Sequence, residues 1–324
     1  MTGASGFLGR AVVSALLKRG HTVRALLRPS AALSALPWGP AVEVYQADLR
    51  VASDLPKALD GVDAIAHLAA HAGGDTMAQF QGTVLATETL LEAMTLAKVR
   101  RLVLASSISV YDWRAPRRTL VEESPLERLP YSRDGYAVAK TWQERLCRRY
   151  ATEKDWDLTV LRPGFIWGKG RSWVDGIGLR IGAAVLVNGP FRRLPMTHVD
   201  NCADLVALAL EAKLTSGETF NVFDSEEIRA WRYARDLQRR RGGRGLLIPV
   251  PYFAGLLVAW TASCLGRTLF GPDVRLPGIL VPLRYRARYR SLRFPNTKLG
   301  RVLGWTPPHS YEESLDRTHR EPPP

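Results

Sequence analysis

The chain has 324 residues, 46% hydrophobic and 23% charged, which suffices for one large α/β domain or a large and a small one and argues against disorder except in the last residues around Glu321. Three cysteines (Cys147, Cys202 and Cys264), without histidines at ligand spacing, argue against a metal site or disulfide framework and fit a reducing, cytoplasmic setting. The net charge of +14 suits an anionic cofactor, substrate or membrane surface, and no zinc-finger spacing or aromatic RNP-like strand points to nucleic acid.

Glycines open the chain, and a helix is expected over 11–19 with Val12, Leu16 and Leu17 inward. Strands follow at 22–27, at 42–45 (closing on Ala47-Asp48-Leu49) and at 64–68, then a long helix over 83–96. The strand 101–106 leads into Ser107, the helix 136–153 has strong polar and apolar faces, and the strand 158–161 ends at Arg162-Pro163-Gly164. A helix starting near Cys202 and a strand at 219–222 complete the alternation, the pattern of a parallel, doubly wound Rossmann-type sheet. Beyond Phe223, proline, arginine and aromatics become frequent and the alternation lapses. The expected organisation is a nucleotide-binding domain at 1–165 and mainly a smaller substrate domain at 166–324. Residues 197–223 return to the first, and the site lies in the cleft between the two.

Gly3, Gly6 and Gly9 run straight into a helix. Glycine is needed where backbone passes close to a pyrophosphate, and a helix N-terminus offers N–H groups to it. A turn-rich N-terminus would show similar glycines, but the full string Thr2-Gly3-Ala4-Ser5-Gly6-Phe7-Leu8-Gly9 resembles the TGASGFLG signature of the extended short-chain dehydrogenases/reductases (the NAD-dependent epimerase/dehydratase family) almost letter for letter. Further matches follow in order. They are Asp48-Leu49, whose carboxylate the resemblance places at the adenine, and His67-Leu68-Ala69-Ala70 under the cofactor. Then come Ser106-Ser107-Ile108-Ser109-Val110-Tyr111, Tyr136-Ala137-Val138-Ala139-Lys140, Leu161 to Gly168, His198-Val199-Asp200-Asn201, and Leu303-Gly304-Trp305-Thr306-Pro307. The resemblance makes Ser107, Tyr136 and Lys140 the catalytic residues. It assigns Gly3, Ser5, Gly6, Phe7, Leu8, Gly9, Asp48, Leu49, Leu68, Ala69, Ala70, Tyr136, Lys140 and Pro163 to the cofactor.

A Tyr-x-x-x-Lys pair alone is a modest signal, yet its chemistry is specific: four residues apart on a helix, the two side chains share a face. A neighbouring ammonium favours the phenolate of a group whose ordinary pKa is about 10, and Lys140 is also expected to hold the nicotinamide ribose. Two departures from the family stand out. Thr83 occupies the place of an asparagine that organises a water relay to the lysine, and Arg162-Pro163-Gly164-Phe165 lacks the asparagine typical of sugar-nucleotide epimerases. The Arg-Pro-Gly form is more similar to 3β-hydroxysteroid dehydrogenases and dihydroflavonol or aldehyde reductases. At the end of the second strand an acidic residue would accept the ribose hydroxyls of NAD. This chain has Arg28 instead, which favours NADP over NAD.

Residues 245–266 carry no charge, and the prolines at 249 and 251 confine a helix to about 253–265, shorter than the roughly 20 residues that span a bilayer. Two readings stand: a core helix walling the substrate pocket, or peripheral membrane contact through 253–265 and the arginines of 284–293, interleaved with Tyr285 and Tyr289. The reading as a whole is hydride transfer between a nicotinamide and the carbinol or carbonyl carbon of a small, apolar alcohol or ketone. Tyr136 moves the proton and Ser107 binds the reacting oxygen. A nucleotide-sugar epimerase or dehydratase is the alternative, and a non-catalytic NAD(P)-binding regulator the third; a homodimer is compatible with each. Finally, the glycine turn of this fold follows a central strand, for which only Met1 and Thr2 remain. The expectation is a start about ten residues upstream, at a strand preceding a valine codon read as Met1, and a gap or a collapse between strands 22–27 and 64–68 in these residues.

Overall fold

The computed structural model describes the chain except residues 34–35, 117, 129–132, 213–215, 244, 272–273, 275 and 320–324, so Arg244 of the basic run and the tail from Glu321 lie outside the described residues. Helix α1 (Phe7–Lys18) is followed by strands β1 (Val23–Leu27) and β2 (Val42–Gln46), the short α2 (Leu55–Ala58) and β3 (Ala64–His67). Helix α3 (Thr76–Phe80) passes through a π-helical turn at Gln81–Leu85 into α4 (Ala86–Leu96), ahead of β4 (Arg101–Ala105), α5 (Gly135–Lys154) and β5 (Asp157–Pro163). Next come β6 (Phe165–Trp167), β7 (Gly178–Ile181), β8 (Ala184–Asn188), β9 (Met196–His198), α6 (Val199–Glu211) and β10 (Thr219–Val222). The chain ends with α7 (Ala230–Arg240), β11 (Leu246–Val250), α8 (Tyr252–Phe270), α9 (Pro282–Tyr289), α10 (Thr297–Leu303) and α11 (Tyr311–His319).

Strands β10, β5, β4 and β3 form one parallel ladder in that order, and β1 pairs in parallel with β2. The interior strands are buried on both faces, which is why β4 and β5 read as near-continuous apolar runs. Met1 and Thr2 bridge the two ladders. Leu26 N–H donates to Met1 O (2.8 Å), Thr2 N–H to Ala66 O (3.0 Å) and Leu68 N–H to Thr2 O (3.3 Å). Past them a narrow gap lined by Arg24, Leu26, Leu59, Val62 and Ile65 separates β1 from β3.

Helices α1 and α6 cover one face of the sheet through Val12, Val13, Leu16, Leu205 and Val206; Leu299 and Trp305 from the far end of the chain join them. Trp305 Nε1–H donates to Asp204 Oδ2 at 2.9 Å, which ties the Leu-Gly-Trp segment to α6. The other face buries Leu90, Leu91 and Met94 of α4 and Cys147 of α5. A second body of core gathers Trp167, Ile177, Tyr233 and Tyr311 around β7, β8 and β11, where β8 pairs antiparallel with β7 and parallel with β11.

Three expectations need correcting. Helix α1 begins at Phe7 because Gly6 caps it in extended conformation, so its first turn holds glycine and aromatic residues that mask the periodicity. The helix expected from 83 starts at Thr76, capped by the Asp75 carboxylate accepting from Ala78 N–H, and the π-turn breaks its phase. Helix α8 runs to Phe270, five residues beyond the expected end, with Arg267 exposed near its C-terminus.

Helix α5 is fixed to the sheet by a buried ion pair. Arg162 NH2 lies 2.5 Å from Glu144 Oε1, both side chains being almost fully buried. Ser106 Oγ–H donates to Glu144 Oε2 (2.6 Å), while Arg162 also donates to the Tyr111 hydroxyl (2.8 Å), which donates to Asn221 Oδ1 (2.7 Å). Burial by itself would raise the Glu144 pKa, but the Arg162 hydrogen bonds and charge outweigh it and hold the carboxyl below its ordinary range. Removing one partner strands the other charge, so Arg162→Met should cost about 3–5 kcal/mol of unfolding free energy by urea titration, and Glu144→Leu/Arg162→Met should recover much of it. Because the folded Glu144 pKa lies below the unfolded one, its contribution is present above pH ~4.3 and should be lost as pH falls below that.

Candidate active site

The glycine turn stands at the end of the sheet where the β-strands finish. Gly3 has φ +70°, and a Cβ there would lie 2.8 Å from Ala69 N; at Gly9 it would lie 2.0 Å from Gly3 O. Only glycine lets the turn, the 68–70 backbone and α1 approach this closely. The N-terminus of α1 has no side-chain cap and no acidic residue in its first turn, and Gly6 is exposed there. Its N–H groups and positive dipole end are therefore open to an anion, which fits the pyrophosphate of a dinucleotide. Ser5, Phe7 and Leu8 flank this opening, each half-buried, as are Leu68, Ala69 and Ala70 beside it, while Pro163 is buried at the end of β5.

Arg28 is exposed just after β1, and its charge reaches Asp48. The Asp48 carboxylate is engaged by Arg50, whose Nε and NH2 donate at 3.0 and 2.6 Å; that hydrogen bond is the main reason its pKa is lowered. Leu49 lies between them, half-buried. Arg50 is thus a second cation beside Arg28 that the motifs did not indicate.

Ser107 and Tyr136 come together. Ser107 follows β4, and its hydroxyl lies near enough to the Tyr136 phenol to lower the phenol's pKa. Tyr136 is the second residue of α5, whose N-cap Asp134 accepts from Ala137 N–H at 3.0 Å, so the phenol sits at the positive end of a 20-residue helix. Burial is the largest influence and raises the Tyr136 pKa; the Ser107 hydrogen bond and the Arg171 charge oppose it without overcoming it. The phenol is therefore protonated at neutral pH, the form that donates to an oxyanion.

Lys140 lies one turn further on, where its ammonium donates to Ala105 O (2.7 Å) and Gln143 Oε1 (2.8 Å) instead of approaching the phenol. The cation that acts on Tyr136 is Arg171, which also lies 5.7 Å over the Phe7 ring. Behind Lys140, the Gln143 amide donates to Thr87 Oγ1 (2.9 Å) and Ala69 O (3.2 Å), and His67 bridges Thr87 (2.8 Å) and Thr2 (2.6 Å). Thr83, in place of the family's asparagine, is buried and accepts at Oγ1 from His71 N–H (2.9 Å), away from Lys140. Burial lowers the Lys140 pKa to about 8, and burial with the Lys140 charge lowers that of His67 to about 3, so His67 is neutral. No local motif marked Arg171 or Gln143: the first lies on a loop after β6, and the second is one polar position on a buried helix face.

This arrangement defines a Rossmann-type α/β fold with an open glycine turn and with Ser107 beside Tyr136. The sequence model of the NAD dependent epimerase/dehydratase family matches residues 1–222, and the chain belongs to that family. Among curated proteins, it is 28% identical over its whole length to the 4-hydroxy-2-methyl-3-oxo-4-farnesyl-3,4-dihydroquinoline-1-oxide ketoreductase of Stigmatella aurantiaca, covering 96% of that protein. It is 30% identical over 97% of its length to the 3 beta-hydroxysteroid dehydrogenase/Delta 5-->4-isomerase of Mycobacterium tuberculosis, covering 87% of it. The solved structure of gox2253 superposes with a TM-score of 0.81 at 24% identity, covering 98% of this chain and 95% of that one. The UDP-glucuronic acid 4-epimerase of Bacillus cereus in complex with NAD superposes at 0.72 with 20% identity, covering 98% and 96%; both likenesses establish the fold. The protein is an NAD(P)-dependent enzyme of the extended short-chain dehydrogenase type.

Tyr136→Phe keeps the ring and removes the proton-transferring hydroxyl. Turnover should fall about 10²- to 10⁴-fold while cofactor affinity, followed by nicotinamide fluorescence, stays within error. Substantial residual turnover would remove Tyr136 from the reaction.

Proposed function

We propose that the protein is an NADP-dependent reductase or dehydrogenase of an apolar ketone or secondary alcohol. The observation that carries this is the Ser107–Tyr136 pair: a phenol that burial keeps protonated, with a serine hydroxyl close to it, in a fold whose glycine-turn helix is uncapped. The nicotinamide supplies or accepts the hydride when bound. Ser107 then donates to the substrate oxygen and Tyr136 delivers the proton to it, from the positive end of α5. Lys140, held by Ala105 and Gln143, would hold the ribose of the bound cofactor, and Arg171 limits the rise of the phenol's pKa. The apolar substrate class rests on the similarity to the farnesyl-quinoline ketoreductase and the hydroxysteroid dehydrogenase, and on the Arg162-Pro163-Gly164 turn.

The NADP preference rests on Arg28, with Arg50 beside it, and on the lack of a carboxylate at the end of β1. A guanidinium in this position pairs with the extra phosphate. Arg28→Ala should therefore weaken NADPH binding at least about tenfold and leave NADH nearly unchanged, since only one of them offers that charge. Equal losses would reduce Arg28 to a surface cation. For the reaction, the purified protein with NADPH and NADP⁺ should be offered sterols, aromatic aldehydes and UDP-sugars. A net change in reduced-nicotinamide absorbance with the first two is expected. Conversion of a UDP-sugar with no net change would replace this reading by an epimerase.

With Tyr136 as proton donor, the rate of carbonyl reduction should stay level through neutral pH. The phenol itself ionises only above pH ~10, because its folded pKa lies above the ordinary value, so an earlier fall near pH 8 would report loss of the Lys140 ammonium.

A further inference from the structure

Helix α8 is built inside out for a protein in water. Its inner face is formed largely by small residues: Ala259 is fully buried and Gly266 buried, and a Cβ on Gly255 would lie 2.0 Å from the Tyr285 hydroxyl. Tyr252, Leu256 and Ala259 pack on Tyr285, Tyr289 and Ile279, so the helix lies along α9. The outer face carries the large apolar side chains, with Phe253 78%, Leu257 60%, Trp260 58%, Leu269 70% and Phe270 77% exposed. A contiguous exposed surface of this kind marks an interaction site, whereas scattered apolar residues do not.

The charge around it identifies the occupant. In sequence, residues 241–290 hold eight arginines and one carboxylate; Arg244, Asp273 and Arg275 lie outside the described residues, and Arg288 lies 4.0 Å from Asp175. Arg267 on α8 and Arg286 on α9 are exposed, and the charges of Arg286 and Arg290 reach Tyr252 at the start of α8. Apolar residues with a tryptophan on one surface and arginines around it match the acyl and headgroup layers of an anionic bilayer. A second copy of this chain would bring the same arginines against themselves. At roughly 28 Å the helix is long enough to reach across a hydrocarbon core, but its inner face is committed to α9, so it lies in the plane of the interface.

We propose that α8 docks the protein flat on an anionic membrane surface, with Phe253, Leu257, Trp260, Leu269 and Phe270 among the acyl chains and Arg267 and Arg286 at the headgroups. The partner helix α9 also touches the loop that leads to the active site. Arg284 of α9 donates to Arg133 O (3.4 Å), three residues before Tyr136, and Arg290 donates to Trp113 O (2.5 Å) in the loop leading there. Resting on the apolar-substrate reading, the bilayer is then the compartment from which that substrate enters.

The full chain should sediment with phosphatidylcholine vesicles containing phosphatidylserine, and much less with phosphatidylcholine alone or at high salt. Leu257→Glu/Trp260→Glu alters exposed positions only and should lower vesicle affinity at least about tenfold. Leu96→Glu, equally exposed but on α4, should leave it unchanged. Failure to sediment, sedimentation that the double variant does not weaken, or a solution dimer that the double variant dissociates would each overturn the proposal. Sedimentation needs neither cofactor nor substrate, so its outcome is separate from that of the reductase assay.

Discussion

Glu144 and Arg162 form a nearly solvent-free ion pair between the middle of α5 and the end of β5, and the catalytic geometry depends on it. Helix α5 carries Tyr136 and Lys140 but could slide or roll on an apolar sheet surface, because dispersion and burial are weakly directional. A guanidinium and a carboxylate at 2.5 Å are strongly directional, and Ser106, Tyr111 and Asn221 extend the grip to β4, the following loop and β10. Ser106 is the neighbour of Ser107, so one polar knot sets both the phenol and the serine that meets it. Such a knot is costly to bury, and its return is a single register for the helix.

Within that frame the site divides its cations. Lys140 is buried among neutral acceptors (Ala105 O, Gln143 and, behind them, Thr87 and the neutral His67). Arg171 approaches Tyr136 from the loop after β6. The charge that acts on the phenol and the buried ammonium thus belong to different residues. A substitution at one can leave the other in place.

Much of the first two hundred residues was legible in the sequence for a physical reason. A backbone turn that must touch a phosphate admits only glycine, and strands buried on both faces admit little but apolar residues, so Gly3, Gly6, Gly9 and the runs at β3, β4 and β5 carry their structure openly. The pairing of Ser107 with Tyr136 followed from the family resemblance of their two motifs. What stayed hidden had no local signature. The start of α1 lies among glycines, and the π-turn at Gln81–Leu85 interrupts the helical phase. Strands β7 and β11 are short and largely exposed, so they lack alternation. Arg171 and Gln143 act through contacts across the fold, and one arginine among so many gives no cue. Helix α8 outruns the uncharged stretch because Arg267 is exposed and lets the helix continue to Phe270.

The cysteines add a last consequence. Cys147 and Cys202 are buried in the sheet core, where burial drives the Cys147 thiol up to about 12 and the Cys202 thiol higher still, so both are chemically quiet. Cys264 is exposed on α8, one turn beyond Trp260 and on the same outward face. The natural sequence thus supplies a single addressable thiol at the one surface whose surroundings are in question. A polarity-sensitive fluorophore attached there would report the local dielectric without any engineered cysteine.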